Sequence, residues 1–445
     1  ALQKLTQVFQ GLVAGIDIGS AIPSPVLSND QYNVYLSNLT YKAPVVAMAP
    51  IAGGLRITVT IATIKGNISA DGKKIFCVGS FCTYYPDASG TITIDTLSAT
   101  ADVAISVTPE HTLAATVGAV AVSMSDPKLQ LDGLIGSLLS PLVNLIVPLF
   151  KGSIEGAFEN TLKDLIGPLV ADALNGLALS LDFSLPSLDP AGAPIPIHVG
   201  TDFQSATFSP AGGALVLRGN ATSDVKTPYT NLGVALRGLC GAPGFNLALP
   251  KASPLELALA DDLINEVLFA AWRGGLLEFD VPASLLSGVD LSKFGIGQID
   301  VHVSAMLAPV VSDCATGEPV VHIGDLRIDA GLDLFGQPMD VVMFVSLRTK
   351  IVFSLENGEL GFALSDIESV DSDISVVQEN LVSSESTVAG LVNSTLIPAL
   401  VGSLGGGALA SIPLPEIDVS GVKIAIQPSS LTRISGGTLV SGTLK

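Results

Sequence analysis

Apolar and polar residues alternate at two-residue steps through most of Asp17 to Ser125, in stretches such as NVYLSNLTYKA, LRITVTIATIKGNISA, GTITIDTLSATADVAISVTP and LAATVGAVAVSMS. β-Branched residues fill the alternation, and Gly, Pro, Asn and Asp interrupt it, which predicts a long antiparallel meander. Long strands in succession predict a strongly curled sheet or barrel. A short helix precedes them, from Ala1 to about Val13, with Leu2, Leu5, Val8, Phe9 and Leu12 on one side. Between Leu131 and Leu181 the period changes. Ile154, Phe158, Leu162, Leu165 and Leu169 fall on one face, and Ile166, Val170, Ala173, Leu174 and Leu177 widen it, so a long helix is predicted. Its lead-in, Gly133 to Phe150, has no charge and reads as a proline-broken approach to the helix, through Pro141 and Pro148.

A Pro-rich connector, SLPSLDPAGAPIPI, follows, then two strands around a Pro-Ala-Gly-Gly turn and an irregular, turn-rich segment from Thr227 to Ser253. At Pro254 the order starts again. SPLELALADDLINEVLFAAWRGGLLEF reads as an extended segment entering a helix, and strands follow from Leu276 to Leu364. An acidic, exposed stretch from Asp366 to Glu385 leads to a last helix, VAGLVNSTLIPALVGSLGGGALA, and two final strands. A repeat of about half the chain predicts a duplicated domain. The expected boundaries are an N-terminal domain over 1–200, central strands and linker over 201–253, and a C-terminal domain over 254–445.

Composition narrows the function classes. Of 445 residues 48% are hydrophobic and only 14% charged, so much apolar surface is buried in the core or shared with a ligand. A net charge of −20 argues against nucleic acid and against electrostatic docking on anionic headgroups. Pro141, Pro148, Asn144 and several Ser and Gly argue against a membrane span in Gly133–Phe150, and the chain reads as soluble. The four cysteines form two natural pairs, Cys77 with Cys82 and Cys240 with Cys314: two disulfides of an oxidising compartment, or four free buried thiols. No histidine stands near either pair at zinc spacing, and no metal or cofactor is expected.

The catalytic spacings searched for are missing: no G-x-S-x-G elbow, no H-E-x-x-H, no P-loop, no EF-hand loop. His302 and His322 sit in predicted strands that could face one another, and Asp371 and Asp373 read as part of a solvated acidic face. The chain is read as a non-enzyme.

Three stretches carry a resemblance. SPLELALADDLINEVLFAAWRGGLLEF resembles the opening of the C-terminal domain in the bactericidal/permeability-increasing protein family of the tubular lipid-binding superfamily. ASIPLPEIDVSGVKIAIQP resembles that family's closing segment, and LVNLIVPLFKGSIEGAFENTLKDLI is similar to its long N-domain helix. The resemblance implies an α+β fold of two similar barrel-like domains. Each would be a curled antiparallel sheet wrapped around long helices, the two joined by a central sheet in a boomerang shape. It also implies an apolar, acyl-chain pocket in each domain. The chain lacks the basic N-terminal tip of the animal members, its cysteines stand elsewhere, and its Ala/Gly-rich, Lys-poor composition looks bacterial.

The expectation is a monomeric, extracytoplasmic (periplasmic or secreted) lipid carrier in transient contact with membranes. The lining residues expected in the first half are Leu5, Phe9, Ile154, Phe158, Leu162 and Leu165. Those in the second half are Ile264, Val267, Leu268, Leu396, Leu400 and Leu404. Ordinary core packing explains each of them equally well. The alternative is a structural or adhesion module with a dry tubular core.

Overall fold

The computed structural model describes residues 2–14, 22–78, 80–132, 140–189, 192–228, 248–249, 251–281, 292, 295–312, 318–356, 359–378, 390, 393–394, 397–398, 410–414, 416–419 and 422–445. Antiparallel sheet dominates them. Two compact units divide the chain: Ala1–Leu177, Phe203–Val216 and Ile417–Lys423 form one, and Ala178–Asp202, Leu217–Glu416 and Ile424–Lys445 the other.

In the first unit, α1 (Leu2–Ala14) precedes nine strands. They are β1 (Leu27–Ser28), β2 (Tyr32–Thr40), β3 (Val45–Ile51), β4 (Gly54–Gly72), β5 (Lys74–Val78), β6 (Phe81–Tyr84), β7 (Ala88–Val107), β8 (Leu113–Met124) and β9 (Lys128–Leu131). The main sheet runs β1-β2-β4-β7-β8, with β3 on β4 and β9 on β7, while β5 and β6 pair only with each other. β4 has 19 residues and β7 has 20, against about 5–6 in an average strand.

These long strands are not uniform. In β4 the buried positions are Leu55, Ile57, Val59 and Ile61, then Ile64, Gly66, Ile68 and Ala70, so the inward parity switches from odd to even at Thr63. Thr63 has φ +57°, the left-handed region. β7 switches in register with it, from Ile92 and Ile94 to Leu97 and Ala99. β2 switches at Asn38, which has φ +52° and is the extra residue in its pairing with β4. The breaks form a seam across three neighbouring strands. A bulge of this kind bends a strand and increases its twist, which curls the sheet.

α2 (Ser140–Asn175) lies along β8, the last strand of that order. It begins eleven residues before the expected periodic helix, so Ser140 to Phe150 is helical rather than a broken approach. Pro141 sits in the first turn, where its missing N–H forfeits no helical bond, and the helix continues through Pro148 and Pro168. Ile154, Phe158, Leu162, Ile166, Val170, Ala173 and Leu174 are buried, whereas Leu165 and Leu169 are half-buried at the margin. Gly167 allows the close approach: a Cβ there would stand 3.3 Å from the Ala115 carbonyl oxygen. Among the described residues, no helix is long and apolar enough to cross a membrane.

Three strands follow, β10 (Ser180–Leu185), β11 (Ile195–Ser209) and β12 (Gly212–Thr222), and form a sheet of their own. Then come β13 (Leu255–Ala260), α3 (Asp261–Arg273), β14 (Glu278–Asp280), β15 (Ile296–Ala305), β16 (Val310–Ser312), β17 (Val320–Leu334), β18 (Gln337–Glu356), β19 (Glu359–Gln378) and β20 (Ala410–Pro413). The chain ends in β21 (Glu416–Val419), β22 (Val422–Ile434) and β23 (Gly437–Leu444). The second unit's main sheet is β14-β15-β17-β18-β19-β20, with β16 on β17. β17 also reverses parity: Asp325 has φ +47°, and Ile323 and Leu326 on either side are both buried.

α3 is anchored at three points. The buried Asp261 carboxylate opens the helix and accepts both arms of the Arg433 guanidinium, at 2.7 and 2.8 Å. Asn265 exchanges two hydrogen bonds with the Val311 backbone, at 2.7 and 3.1 Å, and the Trp272 indole donates to the Ala305 carbonyl at 2.6 Å.

Two expectations are corrected here. His302 lies opposite Asp329 and His322 opposite Arg348, so the histidines do not face one another. The acidic stretch from Asp366 is not a connector before a helix, because Asp366 through Gln378 belong to β19 and pair with β18. Asp371 and Asp373 are exposed on that strand. The Cys77–Cys82 pair is a disulfide directly opposed across β5 and β6, and Cys240 and Cys314 lie outside the described residues.

Candidate functional site

The seam and the helix enclose an apolar crevice in the first unit. Its floor is made by the inward residues that flank the parity breaks. Ile61 and Ile64 come from β4, with Leu97 and Ile94 directly opposite them on β7 and Ile92 beyond. Leu36 and Leu39 come from β2, and Ile22 and Tyr41 close the side. In an unbroken strand, residues three apart point to opposite faces. The extra residue at each break turns both inward, which concentrates three Leu/Ile pairs at one place. Gly66 lies under the β2 pair, where a Cβ would come within 3.1 Å of both Leu36 Cδ1 and Leu39 Cδ2.

Ile154, Ala157 and Phe158 of α2 form the roof. Fixed polar contacts hold it over the floor. The Glu155 carboxylate accepts from the Met124 amide at 3.2 Å, and the Asn175 side chain exchanges two bonds with the Leu113 backbone, at 2.7 and 2.9 Å. Lys151 pairs with Asp126 at 3.3 Å, and Lys128 with Asp95 at 2.7 Å, and none of these charges is in the lining. The cleft has about 530 Å³ including its open mouth, but its closed volume is about 20 Å³, room for about one water. Twelve residues line it, and Tyr41 carries the one polar side-chain atom among them. This arrangement suits solvent exclusion around an apolar ligand and offers no nucleophile or acid–base pair.

Of the expected lining residues, Ile154 and Phe158 line the crevice. Phe9 and Leu162 are buried in the same unit, and Leu165 is half-buried. Ile264 and Val267 belong to the second unit's core, and Leu268 packs against it. The side chain of Leu5, and Leu396, Leu400 and Leu404, lie outside the described residues. The sheet side of the crevice was missed. Its signal is a slipped alternation, visible as L-S-N-L at 36–39, I-A-T-I at 61–64 and I-D-T-L at 94–97.

No family model and no curated protein matches the chain. Among solved structures it is similar to lipopolysaccharide binding protein at 10% identity and a TM-score of 0.47, over 100% of this chain and 96% of that one. It is also similar to P47 of Clostridium botulinum E1, at 11% identity and a TM-score of 0.29, over 99% of this chain and 97% of that one. A third, latherin, covers 38% of this chain and 82% of its own, at 12% identity and a TM-score of 0.20. All three likenesses are shallow, and the functional reading comes from the sheet, helix and crevice themselves.

Proposed function

We propose that the chain is an extracytoplasmic lipid-binding protein that shields acyl chains and passes them between membranes without covalent chemistry. The observation that supports this is the crevice, whose floor and roof are apolar and whose lining includes no charged residue. Removing acyl chain from water yields about 0.8 kcal/mol per methylene, so a chain of common length offsets much of the cost of leaving a bilayer. Loading requires the walls to part, because the cleft encloses room for about one water. The Cys77–Cys82 disulfide fits an oxidising compartment, secreted or periplasmic.

The narrowness of the crevice favours a second reading, a structural or adhesion module whose tubular core stays dry. Uptake of a fluorescent fatty acid and native mass spectrometry of the purified protein separate the two. The carrier should take up the probe, and Ala157→Trp, which fills the roof, should weaken uptake at least tenfold while the far-UV circular dichroism is unchanged. No uptake, together with no co-purifying lipid, would overturn the carrier reading in favour of the dry module.

A further inference from the structure

The β5–β6 hairpin is the most exposed apolar feature among the described residues. Phe81 is 84% exposed, Val78 70%, Tyr84 57%, Phe76 55% and Ile75 46%. Other large exposed apolar residues come singly, as Val45, Val225, Phe335 and Val352 do, or as the neighbours Met306 and Leu307. The pairing decides how the hairpin's side chains are arranged. Phe76 is opposite Thr83 and Val78 opposite Phe81 on one face, while the Cys77–Cys82 disulfide marks the other, and alternation along β6 puts Tyr84 on that second face; Ile75 is the extra residue between Lys74 and Phe76. Both faces of the ribbon therefore carry exposed apolar groups.

We infer that this disulfide-closed hairpin is the element by which the protein enters the interface of an electrically neutral phospholipid membrane; the inference rests on the lipid-carrier reading. A protein partner lying on the hairpin covers one face and leaves the other wet, whereas the boundary between headgroups and acyl chains surrounds both. The five residues of β5 span about 16 Å, enough to reach the roughly 5–10 Å depth at which interfacial elements sit. Phe and Tyr are side chains that suit that depth.

Charge selects the kind of membrane. Between Lys74 and Tyr84 the one charged residue is Lys74, and the chain as a whole carries −20, so an anionic surface repels the body without the hairpin compensating. The root of the hairpin is fixed to the body: the Lys73 amide donates to the Gln31 carbonyl at 2.7 Å, the Tyr85 amide to the Lys73 carbonyl at 3.0 Å, and the Gly72 amide to the Asp87 carboxylate at 2.8 Å. The strands that lead into and out of it, β4 and β7, are the ones that form the crevice floor.

The test uses the full chain and phosphatidylcholine vesicles. Wild type should co-sediment with them, and Phe76→Ser/Val78→Ser/Phe81→Ser should bind at least tenfold more weakly, with an unchanged thermal midpoint. Fatty-acid uptake from solution should be the same in both, so that failure of the hairpin and failure of the crevice are told apart. Phe81→Trp should bind as wild type does, with its emission shifted to the blue and quenched by brominated acyl chains; Trp272, buried in the second unit, supplies a constant background. Vesicle binding unchanged in the triple-serine variant would overturn the inference. So would wild-type self-association that the serines abolish without any vesicle binding.

Discussion

Two asparagines meet strand edges with the same chemistry. Asn175 of α2 exchanges two hydrogen bonds with Leu113 of β8, and Asn265 of α3 does so with Val311 of β16. A carboxamide presents a donor and an acceptor side by side, as a neighbouring strand would, so each helix satisfies an edge that an open sheet leaves exposed. Asn265 is 1% exposed, so Asn265→Ala strands the Val311 amide and carbonyl away from water. That should cost about 3 kcal/mol, read as a lower midpoint in urea at constant slope. His302 has a weaker effect of definite sign. Burial lowers its pKa, but hydrogen bonds to the Asp280 and Glu278 carboxylates outweigh it, and the folded value lies above 6.5. The folded chain holds this proton more tightly than the unfolded one, so the stabilisation is complete below the unfolded value of 6.5 and is lost as the pH rises through the raised folded value. His302→Gln should therefore lower the thermal midpoint most below pH 6.5 and progressively less above it.

At the scale of elements, the long strands work because neighbouring strands break close to one another, Asn38 falling opposite Gly66 on β4, near Thr63. β2, β4 and β7 each change which residues face inward, at Asn38, Thr63 and between Ile94 and Leu97. Forcing a break into regular extension, with its residue count unchanged, reverses every side chain beyond it. Asn38→Val, whose branched side chain disfavours φ +52°, should straighten β2 here, turn Leu39 and Tyr41 outward, lower the thermal midpoint and abolish fatty-acid uptake. Asn38→Gly, which accepts φ +52° without strain, should leave both measurements at wild-type values. Retained uptake in Asn38→Val would show that the parity of β2 does not build the crevice.

Across the whole molecule, what was legible in the sequence was local. The buried stripe Ile154, Phe158, Leu162 follows from helical spacing, and the opposition of Cys77 and Cys82 from their position in IFCVGSFC. The strands were legible as strands. Their breaks were not, because a period-two reading of LRITVTIATIKGNISA passes over the slip between Ile61 and Ile64, and the partner that makes the slip meaningful, Ile94 with Leu97, lies some 30 residues on. His302 and His322 fail for a related reason: each strand reads correctly alone, but register belongs to the pair. Pro148 belongs to a broken approach before the helix in a sequence reading, yet the helix runs through it despite one lost backbone bond.

The Cys77–Cys82 link also sets an order of events. A two-stranded ribbon with no third strand is marginal in water, and thiols stay reduced in the cytosol. Until the chain reaches an oxidising compartment, Phe76, Val78 and Phe81 belong to a loose connector rather than a shaped tip. Closing the loop removes about 2 kcal/mol of disorder from the open ribbon, so oxidation acts as a final maturation step. A chain still inside the reducing cell would meet its inner membranes with this tip unfinished.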